Sequence, residues 1–303
     1  MSGVSLYVDD PARLGTTRLP DGRVLGWAEW GPEGGLPVLL SPGAATSRWL
    51  GVGAGAVEAE GVRLVSVDRP GLGVSTAAPG RTFDDFVSDV RELARLRGLG
   101  PRPAMLGNSQ GAPFALACAV AGVVSALTLV SAADEVAAPE FAAALPGGLR
   151  DLVTRVAEDP AGAERVFAGF DADAMRRMVL AGSPACDLAV YEDPGFAAAY
   201  GRALDEGFSR GAAAGYARDT VLAMGRWPLD LGAISVPVHV WYGEEDATHS
   251  PDLGRLLVSR IPGAGRTVVP GTGGALLWSG AGPIVASLAE TVRQDRVTGG
   301  ADR

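Results

Sequence analysis

Ser109 lies in Gly107-Asn108-Ser109-Gln110-Gly111, a G-x-S-x-G pentapeptide. A serine on such a turn can present its hydroxyl as a nucleophile toward an acyl carbon. The turn must be sharp and strained, and glycines on both sides let the flanking strand and helix approach closely. With 43 glycines in 303 residues, about 0.3 such pentapeptides arise by chance, so the elements around it must carry the argument. A serine nucleophile also needs a base, and the chain has two histidines, His239 and His249. His239 alternates with Val238 and Val240 in an apolar run and reads as a sheet residue. His249 falls in a polar loop, three residues after Asp246. The two cysteines, Cys118 and Cys186, have no metal-like spacing. No metal or cofactor is expected; Gly51, Gly53 and Gly55 match a dinucleotide fingerprint poorly, because no clear strand leads into them.

The elements that must position Ser109 are legible as period and punctuation. Residues 103–106 read as a short buried strand and 112–120 as an apolar helix, which is the strand, turn and helix context that the pentapeptide requires. Upstream, 16–19 and 24–30 read as a hairpin around Pro20-Asp21-Gly22, and 37–40 as a strand ending in Ser41-Pro42-Gly43. A helical stretch is expected near 47–60, then a strand at 62–67 and a helix over 83–96 capped by Thr82. A strand is expected at 124–130. Strands alternating with helices imply a mostly parallel sheet covered on both faces. From 136 to 227 the buried strands stop. Helical segments are expected at 149–157, 172–180, 196–208 and 212–224, broken at Asp159-Pro160, Gly182-Ser183-Pro184 and Asp193-Pro194. Strands resume at 236–241 and 266–269, with helices near 252–259 and 283–292 and a polar, frayed tail after Asp295.

Composition narrows the partners. The formal net charge is -9, all 26 basic residues are arginine, and they are scattered. Neither nucleic acid nor an anionic membrane is expected as a partner. The apolar run 112–130 is divided by Gly122 into a helix pattern and a β-branched pattern, so it reads as two core elements and not a membrane span. Residues 1–14 hold no apolar signal core, and a reduced, cytoplasmic protein is expected. The partner expected is a small-molecule substrate; oligomeric state is not readable.

The chain resembles the α/β-hydrolase superfamily, on GNSQG at 107–111, DRPGLGVS at 68–75 and VPVHVWYGEEDATHSP at 236–251. Its proline-iminopeptidase, haloperoxidase-like and small-esterase branches look nearest. The resemblance implies an α/β-hydrolase fold of about eight strands: a core in two parts, 1–135 and 228–303, around a helical cap at 136–227. It implies a Ser109 nucleophile, an acid at Asp246 and an oxyanion hole from the backbone N–H groups of Gly43 and Gln110. Asp134 is the alternative acid, and Glu244 and Glu245 are neighbouring carboxylates. The departure is the base, because Gly274 stands where members of this superfamily carry their histidine.

Two readings follow. In one, His249 enters the space ceded at Gly274 and serves as the base, since a triad is defined by geometry and not by order. In the other, no triad forms and Ser109 is an unactivated hydroxyl. The functions to weigh are a serine hydrolase of a small ester, thioester or amide, a non-hydrolytic enzyme using the same pocket for cyclisation, rearrangement or proton transfer, and a ligand-binding protein on a hydrolase scaffold.

Overall fold

The computed structural model describes residues 6–53 and 55–298, with side chains through Asp295. Eight strands form one sheet: β1 Arg13–Arg18, β2 Val24–Trp30, β3 Leu36–Ser41, β4 Val62–Val67, β5 Ala104–Asn108, β6 Leu127–Val130, β7 Val238–Gly243 and β8 Gly265–Val269. Their order is β1-β2-β4-β3-β5-β6-β7-β8. The pairs β1·β2 and β2·β4 are antiparallel. From β4 to β8 every pair is parallel. The α/β architecture expected from the alternating pattern is therefore present, with the serine pentapeptide leaving the sheet at the carboxyl end of central β5.

The helices are α1 Ala56–Ala59, α2 Phe83–Leu96, α3 Ala112–Val120, α4 Gly147–Glu158, α5 Pro160–Phe167, α6 Ala172–Gly182, α7 Ala185–Tyr191, α8 Pro194–Gly207, α9 Tyr216–Met224, α10 Arg255–Ser259, α11 Leu276–Ser279 and α12 Ala281–Thr298. One apolar layer joins α2 and α3 to the sheet through Phe86, Leu93, Phe114 and Met105. The other joins α1 and α12 to it through Val57, Ile284, Leu288 and Leu106. Both faces of the parallel part are thus covered, which is why central β5 and β6 are buried along their whole length. Between β6 and β7 the described chain is helical and irregular, and packs a separate cluster around Phe196, Tyr200, Leu204 and Tyr216. Among the described residues no helix is long and apolar enough to cross a membrane.

Several elements differ from their expected bounds for local reasons. The helix expected near 47–60 shrinks to α1, and Gly51 and Gly53 serve packing instead. A Cβ at Gly51 would lie 2.6 Å from the Trp30 ring, and one at Gly53 would lie 2.7 Å from Ala281 of α12. β6 starts at Leu127 and not at Val124, because Ser125 N–H turns to Pro103 O at 3.1 Å. β7 starts at Val238 because Pro237 has no N–H to give to a ladder. The Asp-Pro pairs that break the insertion also start new helices. Asp159 accepts from Gly162 N–H at 2.8 Å and Asp193 from Phe196 N–H at 2.8 Å, with proline in the first turn of α5 and of α8. Helices α5 and α7 were not expected from sequence. The chain stays helical to Thr298, past the expected fray at Asp295; residues 299–303 lie outside the described part.

Candidate active site

β5 delivers Ser109 with a left-handed backbone, φ 49°. A non-glycine residue there is strained and is held only by tight surroundings. Those surroundings explain the two flanking glycines. A Cβ at Gly107 would lie 2.8 Å from Ala115 Cβ in α3, and one at Gly111 would lie 2.0 Å from Ser41 O at the end of β3. Ser109 to Gly111 form a single 3₁₀ turn that leads into α3, whose positive end faces the serine.

His249 Nε2 lies 3.0 Å from Ser109 Oγ. Its Nδ1 lies 2.9 and 3.0 Å from the two oxygens of Asp246. With Nδ1–H donating to the carboxylate, Nε2 presents a lone pair to the serine hydroxyl; this is the tautomer that the network selects. Three residues along one loop suffice because the loop folds back on its own acid. Asp246 Oδ1 also accepts from Thr248 N–H at 3.2 Å and His249 N–H at 3.3 Å, an Asx-type turn that brings the imidazole over the carboxylate. Burial works against the charge of Asp246, but contact with His249 and the loop N–H groups outweighs it and holds the carboxyl below its ordinary range. Burial likewise opposes an imidazolium at His249. The adjacent Asp246 carboxylate, with Asp187 beyond it, outweighs that burial and holds His249 above its ordinary value.

The space that receives the ring is the space of a missing side chain. A Cβ at Gly274 would lie 2.7 Å from His249 Cε1 and 3.0 Å from Nδ1. Asp134, the alternative acid, does not approach the ring. Its N–H donates to His249 O at 2.9 Å and its carboxylate accepts from Ser250 Oγ at 2.8 Å, so it pins the loop's backbone. Burial raises its carboxyl to about 6. Glu244 and Glu245 are exposed. His239 stays in β7, with Nε2 2.8 Å from Thr267 Oγ1 on neighbouring β8. Gly43 lies beyond the end of β3, and among the described residues no acceptor takes its N–H. Gln110 N–H lies in the first turn of its short helix, where backbone donors lack intrahelical partners.

Sequence reading missed Asp187. It comes from α7 of the insertion, is 4% exposed and accepts from Ala275 N–H at 3.1 Å. Burial raises its carboxyl above the ordinary range. A Cβ at Gly273 would lie 2.5 Å from Asp187 Oδ2, so the glycines after β8 admit a carboxylate as well as an imidazole. Nothing in the sequence near Cys186-Asp187 marks it; only the fold brings it to the cavity.

The cavity at Ser109 has a volume of about 460 Å³. Leu149, Met175, Met178, Val179 and Met224 of the insertion line it, with Trp278 from α11. Its acidic lining residues are Asp134 and Asp187, and among the described residues no arginine lines it.

Comparison with curated proteins finds no match. Among solved structures, a hydrolase from Pseudomonas aeruginosa superposes with a TM-score of 0.65 at 19% identity, over 91% of this chain and 98% of that one. An esterase from a Rhodococcus species gives 0.58 at 22% identity, over 94% and 98%. The enol-lactonase from Burkholderia xenovorans gives 0.61 at 19% identity, over 92% and 100%. At such identities the likeness is one of fold. The sequence pattern of the alpha/beta hydrolase family, however, matches residues 38–279. That span runs from β3 to α11 and takes in the serine elbow, the helical insertion and the Asp246–His249 loop, and on that match the chain belongs to the α/β hydrolase family.

Proposed function

We propose that this protein is a serine hydrolase that cleaves a small, neutral, largely apolar ester or thioester, with His249 as base. One observation carries the reading: the unbroken chain Ser109 Oγ to His249 Nε2 to Asp246, at 3.0 and 2.9 Å. Ser109 Oγ attacks the acyl carbon and its proton passes to His249 Nε2. The carbonyl oxygen becomes an oxyanion facing the N–H groups of Gly43 and Gln110. As the tetrahedral adduct collapses, His249 returns the proton to the leaving alcohol or thiol, and an acyl-Ser109 remains. Water then gives a proton to His249 and attacks the same carbon, and collapse releases the acid and restores Ser109.

The substrate class follows from the lining. A cavity whose insertion side is lined by three methionines, Leu149 and Val179, beside Tyr191, Tyr200 and Tyr216, favours an apolar acyl or alkyl group. A carboxylate or phosphate on the substrate would meet Asp187 and Asp134 with no cation to offset it. The six helices of the insertion act as the cap that selects the substrate.

The test is a series of p-nitrophenyl esters from acetate to octanoate, with the p-nitrophenyl monoester of succinate as the anionic member. Turnover is expected to favour the apolar members, to fail on the succinate, and to disappear in Ser109→Ala. A fluorophosphonate should label wild type at Ser109 only. A protein that neither turns over any ester nor takes the label would instead belong to the non-hydrolytic or ligand-binding readings.

A further inference from the structure

Among the described residues Arg69 is the largest fully buried side chain, with no exposure to solvent. It belongs to DRPGLGVS, the second motif of the sequence, and the mechanism above does not use it. Its guanidinium donates through Nη1 to Pro42 O and through Nη2 to Gly43 O at 3.0 Å. Its Nε donates to Asp219 of α9 at 2.7 Å. Arg81, itself 3% exposed, donates to the other oxygen of Asp219. Asp219 thus has a second cation and does not need Arg69 for neutralisation; the cluster keeps one net positive charge.

From this geometry we infer that Arg69 is a positioning residue for the oxyanion site, and that α9 of the insertion holds it in place through Asp219. The inference rests on the acyl-transfer reading above. The Pro42–Gly43 peptide is trans, so its C=O and N–H point in opposite directions. A guanidinium fixed on Pro42 O therefore directs the Gly43 N–H to the opposite side of that peptide. Gly43 itself packs against the nucleophile: a Cβ on it would lie 3.4 Å from Ser109 Cβ and 3.8 Å from Oγ. The cation also polarises the amide and so strengthens its N–H as a donor. The second oxyanion residue is tied to the same helix, since Gln110 Nε2 donates to Thr220 Oγ1 at 2.9 Å. Two consecutive residues of α9, Asp219 and Thr220, thereby set both donors. The insertion would then govern the chemical step as well as substrate choice.

The experiment uses the full-length protein and three variants, Arg69→Met, Arg69→Lys and Asp219→Asn. The readouts are kcat and KM on p-nitrophenyl hexanoate, and the affinities of two ligands. One is an alkyl trifluoromethyl ketone: its carbonyl carbon bonds to Ser109 Oγ, the serine proton moves to His249, and the oxygen becomes an oxyanion. The other is the matching trifluoromethyl carbinol, which binds without a covalent bond. Arg69→Met should lower kcat by roughly 10²-fold, the scale of one lost oxyanion donor. KM should stay within about twofold and the ketone should weaken in parallel with kcat, because only charge-bearing states are affected. Arg69→Lys, which keeps the cation but not the fork, should recover part of the loss. Carbinol affinity should not move. If Arg69→Met does not fold, Asp219→Asn carries the test, and its kcat should fall by roughly 10-fold with carbinol affinity unchanged. An unchanged kcat in whichever of these two variants is read, or ketone and carbinol affinities falling together, would overturn the inference while leaving the hydrolase intact. A wild type that neither hydrolyses the ester nor binds the ketone above the carbinol would overturn the parent reading and this one with it.

Discussion

Two loops at the carboxyl edge of the sheet divide the work unevenly. The loop after β7 carries both Asp246 and His249 within four residues. The loop after β8, at 270–275, carries no titratable side chain and presents Gly273 and Gly274 instead. The first loop is chemically dense because an Asx-type turn folds it onto its own carboxylate. The second is empty in a specific way: a Cβ at Gly274 would overlap His249, and one at Gly273 would overlap Asp187. What a base needs is a volume beside the serine and a carboxylate behind it. Either loop can fill that volume, but not both at once.

The sharpest way to break the comparison is to remove the chemistry from the dense loop. His249→Ala and Ser109→Ala should each lower kcat by roughly 10³-fold or more and to a similar level, because members of a relay fail together. Stopped assays on the preferred ester check this. A His249→Ala variant near wild-type rate, beside an inactive Ser109→Ala, would mean that another group is the base.

The next largest effect comes from filling the empty loop. Gly274 does not have a left-handed backbone, so a methyl there strains packing and not the chain. Gly274→Ala should push the His249 ring off Ser109 and lower kcat by roughly 10²-fold, as expected for a displacement of about an ångström at the reacting groups. The melting temperature should barely change. Wild-type kcat in a folded Gly274→Ala would show that the ring has room to spare. The converse variant moves the base across. His249→Ala with Gly274→His should regain part of the rate lost in His249→Ala alone, because a side chain at 274 starts from the volume that the His249 ring now fills. No regain would mean that a ring at 274 cannot reach both Ser109 and a carboxylate.

The same two loops show how much was legible in the sequence. Ser109 and His249 could be singled out because their types are rare in their settings, one serine in a G-x-S-x-G turn and one histidine in a loop, and Asp246 by its place in the resemblance to the superfamily. The core elements β4, α2 and α3 fall where period and capping put them, since Thr82 and Asp85 form a reciprocal capping box and 112–120 is apolar on every face. What sequence could not supply was volume. Gly274 reads the same whether it empties a site or makes room in it, and only the position of the His249 ring separates the two. The helical stretch expected near 47–60 shrinks for the same reason, since the glycines at 51 and 53 seat Trp30 and Ala281. Asp187 was invisible because its helix comes from the insertion, where no motif fixes which face meets the cavity.

The smallest expected effect tests whether Asp187 belongs to the site electrically or only mechanically. In the proposed reaction His249 must be neutral to accept the serine proton, and its environment holds it above the ordinary 6.5. The acid limb of kcat/KM should therefore lie above pH 6.5, with activity lost as pH falls through it. Asp187 contributes to that rise as a second carboxylate behind the contribution of Asp246. Asp187→Asn keeps an oxygen to accept from Ala275 N–H, so the loop after β8 stays tethered, but it removes the negative charge. A base that loses a neighbouring anion gives up its proton more readily, so the limb should move to lower pH while the plateau rate holds. Asp187→Ala removes tether and charge together; it should show the same shift with a lower plateau, as the glycine loop loosens around His249. A full pH–rate profile of both variants separates the two contributions. A limb that stays in place in Asp187→Asn, with a lowered plateau in Asp187→Ala, would make Asp187 a mechanical tie between α7 and the empty loop and leave Asp246 as the carboxylate that sets the base.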